Sequence, residues 1–175
     1  MIIVYNCYGG THSSILTSAV HLGMLPSDRV PSKQEILSTK YFNQLKYKDM
    51  GRLIFHGTDE YGNKVYTVGR GTSKALIPAM RNEVLELHRQ YHLPEGFAYV
   101  NTSGTVPLAM TLGGFFSRGL KIDFIGVPLL ATGAVHTYNN IIELAKKTKQ
   151  VCNEKPADCV VLEMNEKGQV STYTC

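Results

Sequence analysis

The apolar positions of this chain fall into short continuous runs that alternate with stretches of helical period. The first run, Ile2 to Tyr5, predicts a strand over about residues 2–6. Ile15, Leu16, Ala19 and Val20 then mark a helix of about 13–22, stopped by Gly23 at a left-handed cap and by Pro26 just beyond. Ser32 and Glu35 have the spacing of a capping box and predict a second, short helix, with Tyr41, Phe42 and Leu45 continuing helical packing nearby. Leu53–Phe55 and Val65–Val68 are β-rich and flank the turn-rich stretch His56–Asn63, so a hairpin is expected within 52–68. Gly69–Ser73 leads into a long helix, about 73–91, with Leu76, Met80, Val84 and Leu87 on one face and Pro78 tolerated near its first turn.

The second half continues the alternation. A strand is expected at 97–100, a helix at about 106–116, a strand at 122–127, a helix at about 137–151 and a closing hairpin of 159–164 with 169–173. Strands alternating with helices imply an α/β fold: a mainly parallel, three-layer sheet of P-loop or Rossmann-like type, with antiparallel hairpin additions. In such sheets ligands bind beyond the carboxyl ends of the strands. The loop at Cys7, the loop Asn101–Thr105 and the stretch Pro128–Thr137 all follow expected strands and are expected to converge.

Length and composition narrow the class. A chain of 175 residues with 43% hydrophobic content suits one globular domain, 1–175, with about 139–175 as an extension packed on it. No apolar run approaches the roughly 20 residues that span a bilayer, and Ile2–Tyr5 is too short for a signal sequence, so a cytoplasmic protein without membrane contact is expected. The net charge of +4 suits an anionic small molecule but falls well short of a nucleic-acid signature. Cys7, Cys152, Cys159 and Cys175 show neither a CxxC pair nor zinc-finger spacing, so no metal site is assigned and free thiols are expected.

The chemistry concentrates in IIVYNCYGGTHSS, residues 2–14. A strand, a Gly-rich turn and a helix start form the arrangement that cradles phosphate. Glycines turn backbone N–H groups toward the anion, and the unpaired amides of the first helical turn add partial positive charge. Gly9, Gly10, Thr11, His12, Ser13 and Ser14 are therefore candidate ligand contacts. Three known loops resemble this one in part. Aligned to the nucleotide P-loop through its final hydroxyl at Ser13, the chain has His12 where the lysine belongs, Thr11 at the last glycine and Asn6 at the first. Against the loop of low-molecular-weight tyrosine phosphatases and arsenate reductases, Cys7 and Ser14 match, but Ser13 replaces the arginine that clamps the phosphoryl group. The phosphocysteine loop of IIB-type sugar phosphotransferase components is similar at Cys7, Gly10, Thr11, Ser13, Ser14 and Leu16. All three share a thiolate or anion stabilised at a helix N-terminus. The plainer readings are a small buried hydrophobe at Cys7 and an ordinary N-cap at Ser13 or Ser14.

Over a longer span, IVYNCYGGTHSS, AVHLGMLP, VPSKQEIL, GRLIFHGTDEYGNKVYTVGRG and LGGFFSRGL together resemble a bacterial family catalogued only as a domain of unknown function. Its members are short proteins of spore-forming, low-GC Gram-positive bacteria, and the resemblance covers about residues 1–138. It implies a bacterial cytoplasmic protein with a P-loop-like fold and no established activity.

Other residues could complete a site. Asp59 or Glu60 could act as a general acid or hold Mg²⁺, with His56 alongside, although turn chemistry also explains an acidic hairpin loop. Arg70, between Gly69 and Gly71, and Arg118, after Gly113-Gly114, are the cations that could replace the missing clamp. His136 is a weaker candidate. The expected function is binding of a phosphorylated small molecule, a nucleotide or nucleotide-derived signal, on the loop at Gly9–Ser14. One alternative is a phosphoryl- or acyl-transfer enzyme with Cys7 as nucleophile, His12 as base and Asp59 as acid. The other is a regulatory protein-interaction module. The cofactor is left unassigned and self-association left open.

Overall fold

The computed structural model describes residues 1–105, 123–154 and 160–175. Six strands form one mixed sheet: β1 (Ile2–Cys7), β2 (Ile54–Thr58), β3 (Lys64–Gly69), β4 (Phe97–Asn101), β5 (Val160–Met164) and β6 (Val170–Thr174). Their order is β2-β3-β1-β4-β5-β6. The inner four run parallel, and β2 and β6 close the two edges as antiparallel hairpin strands. Thus β1 lies between β3 and β4, with Cys7 level with Gly69 and Asn6 level with Asn101.

Alternation along the strands divides the core between two faces. Ile3, Tyr5, Val65, Ala98 and Val100 point to one side, where Leu144 of α4 (Asp123–Glu154) packs. Val4, Val68, Tyr99 and Val161 point to the other, against Val84 and Leu85 of α3 (Leu76–Tyr91). The third helix to carry the core, α1 (Ser13–His21), lies against α4 through Ile15, Leu16, Ala19 and Val20. It is buried along its whole length, so each of its polar side chains needs a partner inside the protein. Thr17 and Ser18 bond back to the carbonyls of Ser13 and Ile15, and Ser13, Ser14 and His21 reach other elements.

Most local signals hold in the structure. Gly23 ends α1 at φ +69, with Gly23 N–H bonded to Val20 and Met24 N–H to Ala19, the two bonds of a Schellman stop. Ser32 and Glu35 form the capping box of α2 (Lys33–Ser38). The predicted hairpins are present at β2–β3 and β5–β6.

Three expectations are corrected. Residues 123–127 are the start of α4, not a strand. The run is β-rich locally, but Leu130, Ala134, Tyr138, Ile141 and Ala145 repeat at helical spacing and are buried against α1, and that packing decides. Gly126, Pro128 and Gly133 obscured this period, and Pro128 lies inside the helix. On α3, Leu87 is exposed while Leu85 and His88 are buried, so the buried face is rotated from the one predicted. Cys7 and Cys152 are free, but Cys175 is disulfide-bonded, so thiols are not free throughout. The predicted helix at 106–116 and the candidate Arg118 lie outside the described residues. No helix among the described residues is long and apolar enough to cross a membrane.

Candidate functional site

Cys7 is the last residue of β1, and its side chain is 5% exposed. Its Sγ accepts the N–H of Gly10 at 3.2 Å and stands 3.2 Å from Ser14 Oγ, in the first turn of α1. The loop folds back on its own sulfur because Gly10 adopts φ +67, which L side chains rarely adopt. The same turn lies hard against the end of β3, where a Cβ on Gly69 would come within 2.7 Å of Gly9 O. Two further backbone bonds join these strand ends, from Arg70 N–H to Cys7 O and from Gly71 N–H to Tyr8 O.

Hydroxyls of the loop are mostly occupied by protein. Ser13 Oγ pairs with Thr102 Oγ1 at 2.9 Å, and that threonine also donates to Asn6 O. Thr11 Oγ1 donates to Tyr41 O and accepts from Leu45 N–H, while Thr11 O accepts from Asn43 N–H. Thr11 therefore clamps residues 41–45 over the loop, in a conformation that puts Tyr41 at φ +68 and Asn43 at φ +54. His12 Nε2 lies 3.1 Å from Asn43 Oδ1, and its ring meets Phe42 edge-on. Neither serine caps α1: the N-cap is His12, with no side-chain cap bond. Among the described residues the amides of Ser13 and Ser14 find no acceptor. They remain the polarised N–H groups of a helix start.

Arg70 comes from the neighbouring strand end. Its guanidinium donates to Ser103 Oγ at 3.1 Å. Because β1 lies between β3 and β4, a side chain from the end of β3 that reaches Ser103, just past β4, crosses above the end of β1. Arg70 has no carboxylate partner among the described residues. The structure thus brings Cys7, Gly9, Gly10, Ser14 and Arg70 together, and the loop Asn101–Thr105, expected to converge here, contributes Thr102 and Ser103, which were not named individually as site residues.

Asp59 is elsewhere. It precedes Asn63 and Lys64, and Lys64 is level with Ile2, at the far end of β1 from Cys7. Its two carboxylate oxygens accept from His21 Nε2, Asn63 N–H, Asn63 Nδ2 and Tyr61 N–H at 2.8–3.0 Å. A carboxylate only accepts, so His21 carries its proton on Nε2 and takes the Tyr5 O–H on Nδ1, at 2.6 Å. Burial holds His21 below its ordinary range, and burial pushes the Tyr5 phenol up. Desolvation acts to raise Asp59, but its donors outweigh it, led by His21, and the carboxyl sits below its usual value. This is a closed internal brace. Glu60 pairs with Lys149 on the surface, and His56 Nε2 bonds Thr67. His136 is exposed on α4.

The model of a family described as "protein of unknown function (DUF3189)" matches residues 2–150. The chain belongs to this family. Its match extends past residue 138, through most of α4. No curated protein and no solved structure matches the chain.

Proposed function

We propose that the Gly-rich loop at Cys7–Ser14 binds a phosphorylated small molecule, a nucleotide or nucleotide-derived signal, in a fold of P-loop or Rossmann-like type. The observation that carries this reading is Arg70. It is a guanidinium without a carboxylate partner among the described residues, set across the end of β1 above a turn of glycines and a helix start with free amides. The positive charge absent from the loop itself is thereby supplied from β3. With Thr11 and Ser13 occupied by protein partners, backbone N–H groups and Arg70 do the recognising, which suits a phosphate rather than a neutral sugar.

Mass spectrometry of small molecules released from the purified protein tests the proposal. A phosphorylated species, or a rise in Tm with nucleotides or sugar phosphates, supports it. A protein that carries none and is not shifted by any of them at millimolar concentration overturns it.

The pairing of Cys7 with Gly10 N–H and Ser14 Oγ favours one second reading: Cys7 as the nucleophile of a phosphoryl-transfer enzyme. On this reading Gly10 N–H and Ser14 O–H both donate to the attacking sulfur, and the amides of Ser13 and Ser14 are left for the phosphoryl oxygens. The S–P bond forms as the bond from phosphorus to the leaving oxygen breaks. In Cys7→Ala, ligand binding survives and turnover disappears on this reading; unchanged turnover would remove Cys7 from the chemistry.

A further inference from the structure

A separate cavity of about 350 Å³ opens between α1, residues 38–41 and β2. Its lining includes none of Cys7, Gly9, Gly10 or Arg70. The volume is at the lower end of the range for small-molecule pockets. Ile15 and Ala19 of α1, both buried, give it an apolar floor. Its wall is aromatic: the Tyr41 and His56 rings meet edge-on at 5.6 Å and 85°, and Phe55 is 51% exposed beside them.

The charges at its edge are unequal. Glu35 is committed, since Arg29 holds both of its oxygens and Ser32 N–H donates to one. Lys40 is not: its Nζ stands 5.0 Å from the centroid of the Tyr41 ring, and no carboxylate pairs with it among the described residues. His56 adds no charge at neutral pH, because burial and the nearby Lys40 hold it down at about 4. A hollow with an apolar floor, aromatic rings on one wall, hydroxyls of Ser18, Ser38 and Thr39 beside them and one ammonium without a carboxylate partner at its edge is complementary to a flat ring carrying one negative polar group.

We propose that this cavity is a binding site for a small aromatic carboxylate, with its ring against Ile15, Ala19 and Phe55 and its carboxylate on Lys40. The site does not depend on phosphate binding at the Gly-rich loop. Tyr41 of its wall is nevertheless bonded by Thr11, so an occupant bears on the loop that carries Cys7.

The test is an NMR titration of the ¹⁵N-labelled full chain with benzoate, benzyl alcohol and benzylamine. Benzoate is expected to give saturable shifts at Tyr41, Phe55 and His56, with benzyl alcohol weaker and benzylamine weaker still. Lys40 is exposed, so Lys40→Ala keeps the fold, and it is expected to weaken benzoate about fivefold, the share of an exposed charge contact. Phe55→Ala provides an independent variant for the apolar half and is expected to weaken all three probes alike. Absence of saturable shifts with benzoate overturns the proposal. So does equal benzoate affinity in Lys40→Ala, or shifts confined to Gly9–Ser14.

Discussion

Gly10 and Gly69 stand back to back: a Cβ on Gly10 would lie 2.5 Å from the backbone nitrogen of Gly69 and 2.9 Å from its Cα. Both neighbouring atoms are backbone, so neither can swing aside. Gly10 is also at φ +67. Gly10→Ala therefore combines an overpacked contact with a strained backbone, and about 2–4 kcal/mol of stability is expected to be lost. Denaturant unfolding measures it. A midpoint unchanged from wild type would show that the two strand ends are not held this tightly.

Arg70 presents the opposite case. It is half-buried and its side chain makes one hydrogen bond to a neutral hydroxyl. Arg70→Ala should change stability by no more than about 1 kcal/mol. Calorimetric titration with inorganic phosphate should nevertheless show about tenfold weaker binding, since a charge-assisted contact is removed. Arg70→Lys keeps the charge but not the fork, and should fall between the two. Equal phosphate affinity in all three proteins would remove Arg70 from the site.

Asp59 separates a structural carboxylate from a catalytic one. Four donors converge on it, and the carboxylate is buried against His21. Asp59→Ala strands those donors and should cost about 2–4 kcal/mol, the scale for buried hydrogen-bond donors left without an acceptor. Asp59→Asn retains part of the network and should cost less. Neither should alter phosphate affinity at temperatures where the protein is folded, because the brace lies at the opposite end of β1. Weakened phosphate binding in folded Asp59→Asn would contradict this placement.

The same residues set a pH dependence. His56 is lowered from the ordinary 6.5 to about 4, by burial first and by Lys40 second. Burial likewise lowers His21. The unfolded chain therefore takes up protons that the folded chain refuses, and stability falls as pH drops from 6.5 toward 4. Asp59 is also lowered, so its contribution is present above its ordinary value of 3.8 and is lost as pH falls further. The denaturation midpoint should decline steadily through this window, and His56→Gln should make the decline shallower. A flat profile from neutrality to pH 4 would contradict the burial of both histidines.

The candidate loop was legible because its signals are local. Paired glycines, a strand-end cysteine and a helix start lie within eight residues, and Gly69-Arg70-Gly71 announces a second turn of the same kind. What was not legible depends on strand order. Nothing in the sequence places β1 between β3 and β4, so neither the crossing of Arg70 to Ser103 nor the pairing of Thr102 with Ser13 could be read. Asp59 misled for the same reason. An acidic turn residue looks available for chemistry until the fold brings His21, from a helix buried on every side, against it. The 123–127 error has a different origin: a short β-rich run outweighed a helical period interrupted by Gly126, Pro128 and Gly133.

His88 yields the last prediction. It is 2% exposed on α3, its ring meets Phe97 edge-on, and its Nε2 is buried without a hydrogen-bond partner among the described residues. Among the described residues no other buried side-chain nitrogen or oxygen lacks a partner, and His21 is bonded on both nitrogens. An unpaired buried nitrogen costs about 1–3 kcal/mol relative to an apolar atom in its place. His88 also borders a cluster that is otherwise apolar, Val84, Leu85 and Tyr99 among its members. His88→Leu removes the nitrogen at similar volume and should raise stability by about 1–2 kcal/mol. Denaturant unfolding reads the gain directly. A loss instead of a gain would mean that the imidazole has a partner and that α3 is held at this point by a polar contact.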